Sequence, residues 1–262
     1  MTTAQASTSP LATTAAVSAD PFAPGLTVRG FAPPLCLADF RLIAFDMDST
    51  LINIETVDEI ADAAGRKAEV AAITEAAMRG EITDYKDSLR RRVALLKGVT
   101  LDHLEQVYTQ RLQLNPGAAE LVAACKAAGL KVLLVSGGFT FFTERLRQRL
   151  GIDFVRSNVL EVDNSGPACG TLTGRMVDQS WGDICDGAEK RRTLLDVASL
   201  LGIQPAQCIA MGDGANDLPM MGACHDAGGL SVAYHAKPKV REQAMVSIES
   251  GGLDRLLEVV RR

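Results

Sequence analysis

The feature that most constrains this sequence is a short apolar segment that ends in carboxylates and precedes a long stretch with no strand-like pattern. RLIAFD (41–46) has the length and apolar composition of a buried strand. Over residues 56–113 the apolar residues instead recur at helical spacing, and Gly or Asn-Pro-Gly ends each of four segments. The sequence therefore predicts a small four-helix module inserted just after the first strand.

Beyond Pro116, strand-like segments alternate with helix-like ones. KVLLVS (131–136) follows a predicted helix over 118–128, and a hairpin is predicted over 158–177. This alternation is typical of a parallel sheet covered by helices on both faces, that is, an α/β fold. Other predicted elements are helices over 188–201, 216–222 and 252–261 and strands over 207–211 and 229–233.

The predicted organisation has three parts. The opening segment is poor in bulky apolar residues and carries five prolines, so we expect a disordered or extended tail. The parts are a tail over 1–36, a catalytic core over 37–54 and 116–262, and a helical cap over 55–115.

Composition excludes several classes of protein. The 262 residues are 47% hydrophobic and carry a net charge of −5, which argues against nucleic acid or an anionic membrane as the main partner. No apolar run approaches the ~20 residues of a membrane helix, and the start lacks the pattern of a signal peptide. The six cysteines show no zinc or CxxC spacing, so we expect free thiols and a cytoplasmic protein. The sequence does not distinguish a monomer from a homodimer.

Polar residues cluster where three predicted strands end. Sites in open α/β sheets form at the carboxyl ends of strands. A lysine, Lys190, begins the helix between the second and third of these segments. The segments are Asp46-Met47-Asp48-Ser49-Thr50, Ser136-Gly137-Gly138 and Gly212-Asp213-Gly214-Ala215-Asn216-Asp217.

The residue types in these segments indicate phosphoryl transfer. Three carboxylates at one edge of a sheet would repel one another, and a hard divalent cation such as Mg²⁺ would resolve this. Backbone N–H groups of a Gly-rich turn and a lysine ammonium would bind phosphate. One Asp of the DxD pair could be the nucleophile that forms an aspartyl-phosphate. The other faces the same side of an extended chain and could serve as general acid and base.

Each motif alone has a simpler interpretation. A DxD pair is a weak signal, Ser-Gly-Gly after a strand is often a turn, and Lys190 could be a solvated helix residue. Their order along the chain favours catalysis. A signalling receiver, which also phosphorylates an Asp beside magnesium, is opposed by the second acid and by the cap. A non-catalytic binding protein is opposed by the full set of charged residues.

Four stretches of the sequence, given at the end of this paragraph, resemble those of a known family. On these stretches, the chain resembles the haloacid dehalogenase superfamily of aspartate-nucleophile phosphatases, and within it the phosphoserine phosphatases, over about residues 41–260. The resemblance implies a Rossmann-like parallel sheet with a helical cap after the first strand. It also implies Mg²⁺-dependent hydrolysis of O-phospho-L-serine to L-serine and phosphate, the final step of L-serine biosynthesis. The stretches are FDMDSTLINIETVDEIA (45–61), SLRRRVALLKG (88–98), VSGGF (135–139) and MGDGANDLPM (211–220).

The resemblance also implies roles for single residues of the core. Asp46 matches the nucleophile, and Asp48 the general acid and base whose backbone carbonyl would also reach Mg²⁺. Asp213 matches the remaining protein ligand of the metal. The matched phosphate binders are Ser136, Gly137 and Lys190, and the matched residues that bind substrate or support the site are Asn216, Asp217 and Gly138.

In the cap, the resemblance assigns Glu55 to the substrate ammonium and Arg92 to its carboxylate. An acid and an arginine facing the site would suit a zwitterionic amino acid. Spacing alone does not choose among Arg90, Arg91 and Arg92, and Glu55 could be an acid favoured by a helix N-terminus. Met78 and Tyr85 match positions that pack near the substrate, although the family often carries Phe where Tyr85 stands.

Overall fold

The structure is a computed structural model that describes residues 20–79, 81–179 and 182–261. The strands in these ranges are β1 (Asp20–Ala23), β2 (Leu26–Val28), β3 (Leu35–Cys36), β4 (Leu42–Phe45), β5 (Lys131–Phe139), β6 (Phe154–Asn158), β7 (Leu160–Asp163), β8 (Thr171–Met176), β9 (Cys208–Gly212), β10 (Leu230–Tyr234), β11 (Val246–Ile248) and β12 (Val260–Arg261). The α-helices are α1 (Thr56–Ala63), α2 (Lys67–Met78), α3 (Tyr85–Ala94), α4 (Leu101–Gln106), α5 (Ala118–Ala127), α6 (Thr140–Leu150), α7 (Gly187–Leu200), α8 (Leu218–His225), α9 (Pro238–Gln243) and α10 (Leu256–Val259).

An eight-stranded sheet forms the centre of the molecule, in the order β1-β2-β11-β10-β9-β4-β5-β6. The six strands from β11 to β6 run parallel to one another. Strand β2 pairs antiparallel with β11 on one side and with β1 on the other. The predicted α/β fold with a mostly parallel sheet is confirmed. Because β4 pairs with both β5 and β9, the three strands that carry the polar motifs are neighbours, and the motifs lie together at one edge.

The residues of β4 show why this sheet is buried on both faces. All four are buried; Ile43 and Phe45 face one apolar cluster, while Leu42 and Ala44 face the other. Alternate residues of a strand point to opposite faces, so an unbroken apolar strand needs cover on both sides. Helices α5 and α6 contribute to the first cluster, and α7 and α8 to the second.

Helices α1 to α4 form the insertion, which lies between β4 and α5. Their buried residues, among them Ile60, Val70, Leu89 and Leu104, belong to the same apolar cluster as one face of the sheet. The insertion therefore packs directly on the core, above the edge where the polar motifs lie.

The structure corrects the expectation of a separate N-terminal tail for residues 20–36. Strand β2 pairs with β11, and its Leu26 and Val28 are buried while Thr27 between them is half-buried. Strand β3 pairs with β12 in a second small sheet. The short apolar alternation of β2 outweighs the surrounding prolines because it completes the buried face of the main sheet. Residues 1–19 lie outside the described part of the chain.

One further prediction differs from the structure. The helix predicted over 252–261 is only the short α10, preceded by a turn over Leu253–Arg255 and followed by β12. The hairpin predicted over 158–177 is confirmed, since β7 and β8 pair antiparallel within it, whereas strand β6, which pairs in parallel with β5 just before it, was not predicted. No described helix is both long enough and apolar enough to cross a membrane.

Candidate active site

A buried lysine lies at the centre of the site. Lys190, in the first turn of α7, has no exposed surface, and its Nζ lies 2.5 Å from Asp46 Oδ1 and 2.7 Å from Asp217 Oδ1. Burial alone would lower the pKa of Lys190, but the two carboxylates hold it well above its ordinary value. Lys190 is therefore a charged donor. An ammonium has three hydrogens, so one remains for a ligand after these two bonds.

Asp217 orients the loop that follows β9. Its Oδ2 accepts hydrogen bonds from the backbone N–H groups of Asp213 and Gly214, at 3.2 and 3.0 Å, while its Oδ1 accepts from Lys190. Both oxygens are thus engaged. Gly212 accommodates this arrangement because a Cβ there would lie 2.5 Å from Asp217 Oδ2.

The carboxylates of Asp46, Asp213 and Asp217 form a cluster whose oxygens lie within 4.8 Å of one another. Burial and the charge of Asp217 raise the pKa of Asp46 to about 8 and that of Asp213 to about 6. Because the oxygens of Asp217 are engaged, Asp46 and Asp213 are the two that can offer carboxylate oxygen to a cation. Hard oxygen donors with excess negative charge fit a divalent ion such as Mg²⁺.

The Asp48 side chain is held by α1 rather than by Lys190. Its carboxylate accepts hydrogen bonds from Thr56 at the start of α1, 3.0 Å from Oγ1 and 3.4 Å from the backbone nitrogen. Burial, together with the charges of Glu55 and Asp46, raises the pKa of Asp48 well above its ordinary value. Asp48 is therefore protonated more readily than an ordinary aspartate, which favours a role as general acid.

The turn after Asp48 brings Glu55 back to the site. Ser49 has a positive φ of 55°, and its hydroxyl donates to Glu55 Oε1 at 2.6 Å. Left-handed backbone at a non-glycine residue is uncommon and often marks a functional turn. Glu55 is exposed, and its charge acts on both Asp48 and Asp213, which places it at the mouth of the carboxylate cluster.

Residues Ser136, Gly137 and Gly138 do not take part in the pairing between β5 and β6. The pairing passes from Val135–Arg156 directly to Phe139–Asn158, so the three residues bulge outward. The buried Ser136 Oγ accepts from the Gly138 backbone N–H at 2.8 Å. A bulge of this kind can offer backbone donors to an anion.

Asn158 is a residue that the sequence analysis missed. Its buried amide donates to the Gly137 carbonyl at 2.8 Å and accepts from the Cys185 N–H at 2.9 Å. One side chain thus ties the bulge to the segment that leads into α7 and Lys190. No sequence motif marks Asn158, because its role depends on partners that only the fold brings near.

Arg156 and Glu189 form a second missed support. Their side chains are buried and paired at 3.1 Å, and Arg156 also donates to the carbonyls of Ser157 and Asp183. Glu189 immediately precedes Lys190, so this pair fixes the start of α7 against β6.

The cap presents one face of α3 to the site. Arg90 and Arg91 are exposed, whereas Arg92 is half-buried and its Nε has no hydrogen-bond partner among the described residues. The charge of Arg92 opposes the effect of burial on the pKa of Asp58, whose Oδ1 is also buried without a partner there. Geometry thus selects Arg92 from the three arginines as the one that turns inward.

The remaining predicted residues are placed as follows. Tyr85 is half-buried at the start of α3, with its hydroxyl against Gly137. Gly138 lies beside Met47 and Thr56, where a Cβ would be too close to both. Asn216 places its Oδ1 against Gly214. Met78 ends α2, and its side chain lies outside the described part of the structure.

Comparisons with known proteins show what this chain is similar to. Residues 43–222 match the haloacid dehalogenase-like hydrolase family. A phosphoserine phosphatase of Albidiferax ferrireducens is 74% identical over 90% of this chain and 96% of its own length, and one of a Polaromonas species is 73% identical over 91% and 97%. The solved structure of a phospho-aspartyl intermediate analogue of phosphoserine phosphatase superimposes on this chain with a TM-score of 0.74. The two are 37% identical, and the match covers 85% of this chain and 99% of that one.

The bonds of Asp217 lead to a prediction about stability. We expect Asp217→Ala to lower the free energy of unfolding by about 3 kcal/mol, because Lys190 keeps a single carboxylate and two backbone donors lose their acceptor. This value is at the lower end of the usual cost of removing one partner from a buried ion pair, because Asp217→Ala also relieves the repulsion between Asp217 and Asp46. Urea denaturation measures the change. The exposed Asp226→Ala is the control and should shift by less than about 0.5 kcal/mol; equal midpoints for the two variants would contradict the account.

Proposed function

The chain belongs to the haloacid dehalogenase-like hydrolase family, and from this premise we propose that it hydrolyses O-phospho-L-serine to L-serine and phosphate by way of a phosphoryl group on Asp46. The observation that carries the proposal is the buried Lys190, which bonds to Asp46 beside the bulge of β5. The two phosphoserine phosphatases that are 74% and 73% identical to this chain support the choice of substrate. The reaction would be the last step of L-serine biosynthesis.

In the first step, a carboxylate oxygen of Asp46 attacks phosphorus while the bond from phosphorus to the serine oxygen breaks. Asp48 donates its proton to that leaving oxygen, so serine departs as a neutral alcohol. The hydrogen bonds from Thr56 hold the Asp48 carboxyl in place, and its raised pKa keeps the proton available.

In the second step, the Asp48 carboxylate takes a proton from water as the water oxygen attacks the phosphorus of the aspartyl-phosphate. The bond between Asp46 and phosphorus breaks, which releases phosphate and restores the Asp46 carboxylate. Lys190 remains charged throughout and donates its free hydrogen to a phosphoryl oxygen, with the Ser136–Gly138 bulge as a further source of donors.

Asp46, Asp213 and the backbone carbonyl of Asp48 would hold the metal. When bound there, Mg²⁺ would offset the negative charge of the carboxylate and phosphoryl oxygens. The oxygen donor set supports Mg²⁺, and Mn²⁺ accepts the same kind of ligand.

The cap supplies specificity in this proposal. Glu55 at the mouth of the carboxylate cluster would bind the substrate ammonium, and the inward-facing Arg92 would bind its carboxylate in bidentate fashion. The nearest alternative is the same chemistry on another small phosphate ester, which would not need both groups.

We also propose a cytoplasmic location, supported by six free cysteines, because free thiols persist in reducing compartments. The substrate is a small molecule, and the acidic net charge of −5 gives no support for nucleic acid as a partner.

An assay of phosphate release tests the proposed function. We expect release from O-phospho-L-serine with Mg²⁺, little with EDTA, and none from Asp46→Asn, because an amide is a poor nucleophile. Phosphothreonine, a sugar phosphate and an aryl phosphate are assayed in parallel. Faster release from another ester would retain the mechanism and reject the substrate, whereas no release from any ester would reject both.

Arg92→Ala tests substrate recognition. Loss of a charged hydrogen bond of ~1.5–3 kcal/mol should lower kcat/KM for phosphoserine roughly 10- to 150-fold, while an aryl phosphate, which has no carboxylate, should be hydrolysed nearly as before. Arg91→Ala is the matched control, since Arg91 is exposed and pairs with Asp87. Equal losses on both substrates would remove Arg92 from this role.

A further inference from the structure

The Tyr85 hydroxyl lies directly over the bulge that follows the buried part of β5. A Cβ built on Gly137 would be 2.0 Å from this hydroxyl oxygen and 3.2 Å from the ring carbon that bears it. The hydroxyl thus occupies the space that a side chain at position 137 would fill. A residue of the cap therefore reaches the turn that, in the proposed function, binds the phosphoryl group.

Ion pairs hold the start of α3 in this position. Lys86, the next residue after Tyr85, pairs with Asp183 at 2.6 Å and with Asp186 at 3.4 Å. Asp186 also caps α7 by accepting from the Glu189 N–H, one residue before Lys190. The beginning of α3 is thus fastened to the segment that leads to the buried lysine, which fixes Tyr85 above Gly137.

The hydroxyl is a neutral donor among cations. Burial raises the pKa of Tyr85 far above its ordinary value, and the nearby charges of Lys190 and Arg92 only partly oppose this. Among the described residues, the Tyr85 hydroxyl has no hydrogen-bond partner. Tyr85 and Arg92 lie about two turns apart on α3 and so share a face. The charges of Lys190 and Arg92 both act on the Tyr85 hydroxyl, so these three donors lie near one another.

The resemblance already implies that position 85 packs near the substrate; we propose, beyond this, that the Tyr85 hydroxyl donates a hydrogen bond to a non-bridging oxygen of the phosphoryl group held above Gly137. This inference rests on the proposed function and adds a phosphate contact from the cap to those from the core. It separates two tasks on one helix: Arg92 binds the amino-acid end of the substrate, and Tyr85 binds the phosphoryl end. Such a contact forms only while the cap lies against the core.

Tyr85→Phe isolates the hydroxyl, because it removes one oxygen and keeps the ring. We expect kcat/KM to fall about 10-fold or more, the effect of losing a hydrogen bond to a charged group. The fall should be the same for phosphoserine and for an aryl phosphate, since both carry the phosphoryl group. The inhibition constant of inorganic phosphate should rise by a similar factor. This pattern is the opposite of the substrate-selective loss expected for Arg92→Ala.

Tyr108→Phe is the matched control. Tyr108 is a half-buried tyrosine of the same insertion, its ring lies near the Arg145 guanidinium, and it has no part in the proposed site. This variant should retain wild-type constants. Unchanged constants in Tyr85→Phe, or a loss confined to phosphoserine, would overturn the assignment of the hydroxyl while leaving the proposed function intact. A wild-type protein inactive on every ester would reject the proposed function itself.

Discussion

The buried ammonium of Lys190 between Asp46 and Asp217 is the interaction on which the site depends. A charge without exposed surface is costly unless it is paired, and both partners sit at the ends of adjacent strands. Asp217 in turn fixes the loop that carries Asp213, and Lys190 fixes α7 against β4. Even so, the carboxylates outnumber the lysine, and burial together with this excess of negative charge raises the pKa values of Asp46 and Asp213. Because negative charge is in excess there, the site is suited to a cation, and the cation and Lys190 together suit it to a phosphate ester.

In the proposed function, buried groups around this centre support the site while the cap recognises the substrate. Buried polar groups of β6, namely Asn158 and Arg156, hold the bulge of β5 and the start of α7 at fixed positions. The inserted helices bring Glu55, Tyr85 and Arg92 over the same edge, and the ion pairs of Lys86 fasten α3 there. Preorganised donors of this kind bind developing charge without reorganisation during the reaction. A cap that lies against the core would also exclude bulk water from the aspartyl-phosphate.

The fold and the centre of the site could be predicted because the ends of the strands can be recognised in the sequence. Apolar runs followed by Asp46, Ser136 and Asp213 required a parallel sheet, and in such a sheet the ends of neighbouring strands meet. Asn158 was not predictable, because a polar residue on a strand shows its role only beside its partners. Spacing did not distinguish Arg92 from Arg90 and Arg91; the family resemblance selected it, and the structure shows that it alone of the three is half-buried. The prediction of a tail was wrong for residues 20–36. Their apolar alternation is too short to indicate a strand beside so many prolines, and β2 forms only because the fold brings it against β11.

The central claim is that Asp46 carries the phosphoryl group. Protein quenched in acid during turnover of O-phospho-L-serine, followed by peptide mass analysis, tests this most directly. The account predicts a phosphoryl group on the peptide that contains Asp46 and none on that peptide in Asp46→Asn. A phosphoryl group on a different residue would contradict the account, as would turnover at the wild-type rate by Asp46→Asn.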